Sequence, residues 1–198
     1  VTLKLSDDYI AWSNRGEKES RIDDAEIVFV GYGIVAPDYK RDDYRGADVK
    51  GKIVAFVGGA PSRYDGEERA FFSSPATKAR IAAEHGAIGA VQIESPRGGR
   101  GNVPVATLAR SWDRERVTWS NGRATGGAEG VPMLGTLSMG IAAKMFAGAR
   151  IGWDQIRKAA DSDDAAFKPV ALNGTLSVAI KTETRPMPSS NVIGLLPG

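Results

Sequence analysis

Residues 26–57 read EIVFVGYGIVAPDYKRDDYRGADVKGKIVAFV, and the rest of the chain is organised around them. Two apolar runs, Ile27-Val28-Phe29-Val30 and Ile53-Val54-Ala55-Phe56-Val57, are continuous rather than alternating, the pattern of strands buried on both faces. A segment dense in Gly, Pro, Asp and Tyr separates them, too long for a hairpin and without a helical period. It is expected to form an ordered loop or arm, with Asp43 and Asp48 holding it through side-chain to backbone hydrogen bonds.

Downstream, Gly58-Gly59-Ala60-Pro61 breaks the regular structure, and the loop continues past Arg63, Tyr64 and Asp65 to Phe71-Phe72, which either close the core or touch a partner. Ser74-Pro75 then reads as a helix start. Ala79, Ala82, Ala83 and Gly86 give that helix a small-residue face able to approach a sheet closely, and Ala90-Val91-Gln92-Ile93 resumes as a strand. Helix followed by strand is the α/β signature. Residues 95–102 are loop by composition, and residues 103–108 read as a short strand demoted to an edge by Pro104. Asn121-Gly122 signals a hairpin. Residues 130–134 return as a strand, followed by a helix capped at Ser138 with Ile141, Ala142, Met145 and Phe146 inward and Gly148 at its end. A second helix carries Trp153, Ile156 and Ala160 on one face. Residues 170–172 and 175–180 read as a closing hairpin through Asn173-Gly174.

Upstream, Val1, Leu3 and Leu5 alternate with polar residues as in a half-exposed strand, expected to pair with residues 175–180. Residues 14–24 are almost wholly polar and read as a solvated loop. The start at Val1, with no Met and no signal-like segment, suggests a mature or excised piece of a longer protein.

With 198 residues the chain can bury one ample core. The net charge of +2 is the small difference between 26 basic and 24 acidic residues, so charge alone does not point to nucleic acid. Arg97-Gly98-Gly99-Arg100-Gly101, and the cations and aromatics interleaved among Arg110, Trp112, Arg114, Arg116 and Trp119, are the features a single-strand binder would use, but Asp113 and Glu115 neutralise the second group. No run approaches membrane-spanning length, and neither a nucleic acid nor a membrane is expected as partner. Absence of cysteine excludes disulfides and thiolate ligands.

The sole histidine, His85, falls at the end of the alanine-faced helix, where a structural role outweighs a catalytic one, and a single imidazole makes a poor zinc site. The acidic groups Asp38 with Asp42 and Asp43, Glu67-Glu68, and Asp161 with Asp163 and Asp164 lack calcium-loop spacing. Gly-x-Ser-x-Gly is absent, and Gly31-Tyr32-Gly33 is followed by Pro37 rather than by a helix and a third glycine, which argues against a dinucleotide loop. No catalytic or metal-binding residue is assigned to this chain.

Val-Gly-Tyr-Gly-Ile at residues 30–34, Ala36-Pro37, Asp43-Tyr44 and Asp48-Val49-Lys50-Gly51-Lys52-Ile53-Val54 resemble the opening of a protease-associated (PA) domain, the version inserted in secreted two-zinc aminopeptidases of metallopeptidase family twenty-eight. Residues 77–93 and 131–146 are similar to its later helix-strand and strand-turn-helix units, and residues 190–198 look like the first strand of the aminopeptidase catalytic domain. The resemblance implies a PA-like α/β mixed-sheet sandwich or open barrel with two or three flanking helices, a PA domain over residues 1–185, and a linker with the first strand of a further domain over residues 186–198. It also implies zinc in the adjoining domain, export to the periplasm or outside, and a non-catalytic lid or wall shaping access of a peptide or protein substrate to the peptidase domain. Under that reading Arg63 and Tyr64 are the first candidates for substrate contact, Tyr39 and Tyr44 the second, and ordinary packing is the alternative for each. PA domains also serve as interaction or sorting modules in receptors, and a free-standing hydrolase is the third reading.

Overall fold

The two continuous apolar runs become adjacent parallel strands in the middle of a six-stranded sheet. The structure, a computed structural model, describes residues 2–13, 17–95, 103–115, 117, 130–161, 167–188, 190 and 193–194. In chain order the strands are β1 (Tyr9–Ile10), β2 (Glu19–Phe29), β3 (Val35–Ala36), β4 (Arg41–Asp42), β5 (Ile53–Val57), β6 (Gly89–Ile93), β7 (Met133–Leu137) and β8 (Val170–Lys181). The helices are α1 (Gly66–Ser73), α2 (Pro75–Glu84), α3 (Val105–Leu108), α4 (Met139–Met145) and α5 (Trp153–Asp161). The main sheet runs β1-β7-β6-β5-β2-β8, with β2, β5, β6 and β7 parallel and the two edge strands antiparallel. It curls into a half-barrel, and β3 and β4 make a separate small sheet inside the arm.

Both faces of the central strands are covered, which is why their sequences do not alternate. Val54 and Phe56 face α2, whose Ala79 and Ala82 allow the close approach. Ile53, Ala55 and Val57 face the opposite layer, where α4, Phe146 at its C-cap and α5 contribute Ile141, Phe146, Trp153 and Ile156. The predicted end of α2 is met in detail: Gly86 adopts φ +83° and the N–H groups of Gly86 and Ala87 donate to the carbonyls of Ala83 and Ala82, a Schellman turn. His85 caps this helix, its Nδ1 2.8 Å from the Ile81 carbonyl oxygen.

The expected α/β mixed sheet curled as an open barrel is found, flanked by α2, α4 and α5 among the five α-helices of the described residues. Other expectations are corrected. Residues 19–24, read as loop, are strand, because β8 pairs along them; a bulge at Asp24 (φ +53°) breaks the alternation that would have revealed it. Residues 170–180 form one strand, not a hairpin, since β2 offers a longer antiparallel partner than the Asn173-Gly174 turn; Gly174 (φ +91°) lies in a bulge instead. Consequently residues 175–180 pair with β2 and not with the N-terminal segment, whose regular pairing, through β1, is to β7 at the other edge. The stretch after Pro104 is helix α3. Glu94, buried at the end of β6, explains that change: one carboxylate oxygen accepts the N–H of Val105 at the start of α3, and the other accepts that of Met139 at the start of α4, 3.0 Å away. Ser138 sits at the cap position of α4, but its side chain makes no capping bond. The Asn121-Gly122 hairpin, the Arg97–Arg100 loop and the final strand of residues 191–198, apart from Ile193 and Gly194, lie outside the described residues. No helix among the described residues is long and apolar enough to cross a membrane.

Gly31 has φ +62°, and a Cβ there would lie 2.7 Å from Phe167 Cδ2, whereas Gly46 (φ +75°) faces open space. Gly46→Ala is expected to cost roughly 1–2 kcal/mol of left-handed strain. Gly31→Ala adds overpacking of about 1–3 kcal/mol on top of a similar strain. Urea unfolding of the two variants checks the ranking, and equal losses would refute it.

Candidate functional site

Beyond the C-terminal ends of β2 and β5 the chain turns tightly at Gly31, Gly33 and Gly59, and charged side chains gather under these turns. Gly31 and Gly33, both left-handed, turn the backbone so that the N–H groups of Tyr32 and Ile34 point at one carboxylate oxygen of Asp43, each 3.1 Å away. The other oxygen of Asp43 lies 2.8 Å from Arg41 Nη2, both side chains being buried. Asp43 thus does what its place in the motif suggested. Asp48 does not: its carboxylate pairs with Lys52 at 3.1 Å on the surface. Asp42 caps locally, accepting the Tyr44 N–H at 3.0 Å.

The second cation of the cluster comes from α2. Lys78 is 0% exposed, and its Nζ donates to the carbonyl oxygens of Val57 at 3.1 Å and Gly59 at 2.6 Å. Its ammonium sits 4.8 Å from the ring centroid of Phe56 and 5.7 Å from that of Tyr32, over which Arg41 also stacks at 5.2 Å. Burial lowers its pKa to about 7, the nearby Asp43 charge opposing and Arg41 reinforcing the fall. Burial likewise pushes the Asp43 carboxyl up, against the pull of Arg41 and the Ile34 N–H. The group acts as a strut: Asp43 fixes the arm, Lys78 fixes the loop after β5, and each stands in the other's field. Enclosed as it is, the Lys78 amine cannot reach a substrate.

On the outer side of this strut an aromatic ladder reaches the surface. Tyr39 from the arm and Tyr64 from the loop meet with ring centroids 4.1 Å apart; Tyr64 meets Phe72 edge-on at 5.6 Å, and Phe72 meets Phe71 at 5.1 Å. Tyr64 is buried, Tyr39 and Phe72 are half-buried, and Phe71 is 51% exposed on a helix, α1, that buries no residue. The Phe71-Phe72 pair therefore splits, one ring closing the core and the other facing solvent. Arg63 is exposed beside Tyr64. Among the described residues, the Tyr64 hydroxyl and Arg41 Nε are buried without a hydrogen-bond partner.

Of the four residues selected from sequence, Arg63, Tyr64 and Tyr39 come together here. Tyr44 lies elsewhere, in the α2-side core, stacked on His85 with centroids 4.2 Å apart. Burial raises the pKa of both Tyr44 and Tyr64. Sequence reasoning missed Lys78 and Arg41. A signal for Lys78 existed: it precedes Ile81 and Ala82 by three and four residues and so shares their inward face. The ledge brings the rings of Tyr39, Tyr64, Phe72 and Phe71 to the surface beside the exposed Arg63.

No family model and no curated protein matches this chain. Among solved structures, an aminopeptidase from Aneurinibacillus sp. strain AM-1 is distantly similar, at 18% identity and a TM-score of 0.34, over 81% of this chain. The chain spans only 27% of the length of that protein.

Folded Lys78 loses its proton near pH 7 while the unfolded side chain keeps its own to about 10.5, so between those values the unfolded state binds more protons. Stability from this group therefore rises with pH across that window and is lost as pH falls towards 7. Relative to Lys78→Met, the wild-type protein is expected to gain up to about 1 kcal/mol per pH unit between pH 7 and pH 9. Parallel stability curves from chemical denaturation would show that Lys78 titrates normally.

Proposed function

We propose that this chain is a non-catalytic PA domain of a zinc-dependent aminopeptidase, and that its ledge of Tyr39, Tyr64, Phe71 and Arg63 forms part of the wall along which a peptide approaches the active site of the adjoining peptidase domain. The observation that carries this reading is the aromatic ladder running from buried Tyr64 to exposed Phe71, braced from beneath by the Asp43, Arg41 and Lys78 cluster. Rigid support under exposed aromatics is what a contact surface needs, because the rings then lose little freedom on binding. The order of the Gly-Tyr-Gly, Asp43-Tyr44 and Lys-Gly-Lys motifs supports the PA assignment. In this reading zinc is held by the adjoining domain, and no residue of this chain is assigned to it.

The test uses the whole protein that carries this chain. Phe71→Ser and Arg63→Ala are expected to raise KM for a ten-residue peptide about fivefold while leaving kcat, and turnover of a single-residue chromogenic amide, unchanged. Equal effects on the two substrates, or absence of zinc-dependent exopeptidase activity in that protein, would overturn the proposal.

A further inference from the structure

The Tyr39 end of the ledge has a chemistry of its own. Tyr39 and Tyr64 come from separate segments, the arm and the loop before α1, and their rings lie 4.1 Å apart at an interplanar angle of 33°. The Tyr39 hydroxyl is held at the start of α1, where it accepts the backbone N–H of Asp65. That position puts it among carboxylates. The charges acting on it most strongly are those of Glu68 in the first turn of α1, Asp65 at the N-cap and Asp38 in the arm. Burial raises the pKa of this phenol, and the three carboxylates add to the rise.

These carboxylates are not consumed by the fold. Asp38, Asp65 and Glu68 are exposed, and no ion pair among the described residues engages any of them. The Asp65 side chain makes no capping bond to α1. Lys40 and Arg69, exposed in the same segments, leave all three unpaired, and Arg63 acts on the Tyr64 hydroxyl, as Arg41 does. That hydroxyl belongs to a residue only 3% exposed, has no hydrogen-bond partner among the described residues, and lies near enough to the Tyr39 phenol for the two to interact. Carboxylates from two segments thus converge on a pair of electron-rich rings with an unused oxygen at its floor. A cation on an apolar stem matches both parts, because methylene groups cover the rings while the charged head meets ring faces and carboxylates together.

We propose that the Tyr39 end of the ledge seats a lysine or arginine side chain of the approaching peptide, an inference that rests on the reading of the ledge as a peptide-contact surface. The ledge then favours peptides carrying a cation over neutral ones of the same shape, and disfavours acidic ones.

The experiment titrates the ¹⁵N-labelled chain with three eight-residue peptides, blocked at both ends, otherwise uncharged, and identical except for one central residue, which is lysine, norleucine or glutamate. Saturable shifts of the Phe71 amide are expected with the lysine and norleucine peptides, lysine binding about fivefold more tightly and glutamate most weakly. Asp38→Asn combined with Glu68→Gln, two exposed changes that spare the fold, should erase the lysine advantage and leave norleucine affinity unchanged. Sodium chloride at about 0.5 M should do the same. Equal affinities for the three peptides, or a lysine advantage that survives the double variant, would overturn this proposal while leaving the contact surface in place. Absence of any shift at Phe71 with all three peptides at millimolar concentration would remove the contact surface itself, and this proposal with it.

Discussion

The arrangement at the ends of β2 and β5 depends on one buried carboxylate. Asp43 accepts the N–H groups of Tyr32 and Ile34 with one oxygen and meets Arg41 with the other. Without it, two backbone donors and a guanidinium would be stranded in the interior, a loss on the order of several kcal/mol. The requirement works in both directions along the chain. Gly31 and Gly33 must be left-handed so that alternate N–H groups converge, and the arm must fold back through β3 and β4 so that Asp43 arrives beneath them. Tyr39 lies on that return path and meets Tyr64 because the arm has been fixed there.

Lys78 extends the same logic to a second segment. A lysine on the buried face that α2 forms with Ala79, Ile81 and Ala82 lies against Phe56 and Tyr32, and its amine satisfies carbonyls of Val57 and Gly59 just where β5 gives way to loop. Those carbonyls are strand-end acceptors that water would bond in an open structure. Bringing an amine from below leaves the loop's outer side free to carry Arg63 and Tyr64. The interior is thus polar directly beneath the surface that displays aromatic rings, an inversion of the usual layering.

Much of this was legible in the residues. Continuous apolar runs marked the doubly covered strands, Ser74-Pro75 and Gly86 marked the ends of α2, and Asp43 in its turn-rich setting suggested a loop-holding carboxylate. What stayed hidden depended on partners far away in sequence. The polar first half of β2 and the segment around Asn173-Gly174 each had a sound local reading, overridden because β2 and β8 pair along their whole length across about 150 residues and absorb their mismatches in bulges. The helix after Pro104 needed Glu94, ten residues back, to supply its first hydrogen bond. At the site, Tyr64 and Tyr39 were found by residue type, whereas Arg41 and Lys78 were passed over because cations are ordinarily solvated. Tyr44 was grouped with Tyr39 by proximity in sequence, but the arm reverses between them and sends the two rings to opposite layers of the molecule.

Glu94 has a consequence for how the far side of the molecule moves. Helices of four and seven residues are too short to persist unaided, and here both begin on the same carboxylate. Neither can fray at its first turn without disturbing the grip on the other, so the segments opening at Val105 and Met139 share a single hinge pin at the tip of β6. The two hydrogen bonds tie together parts of the chain more than thirty residues apart, which makes that corner of the fold a mechanical unit.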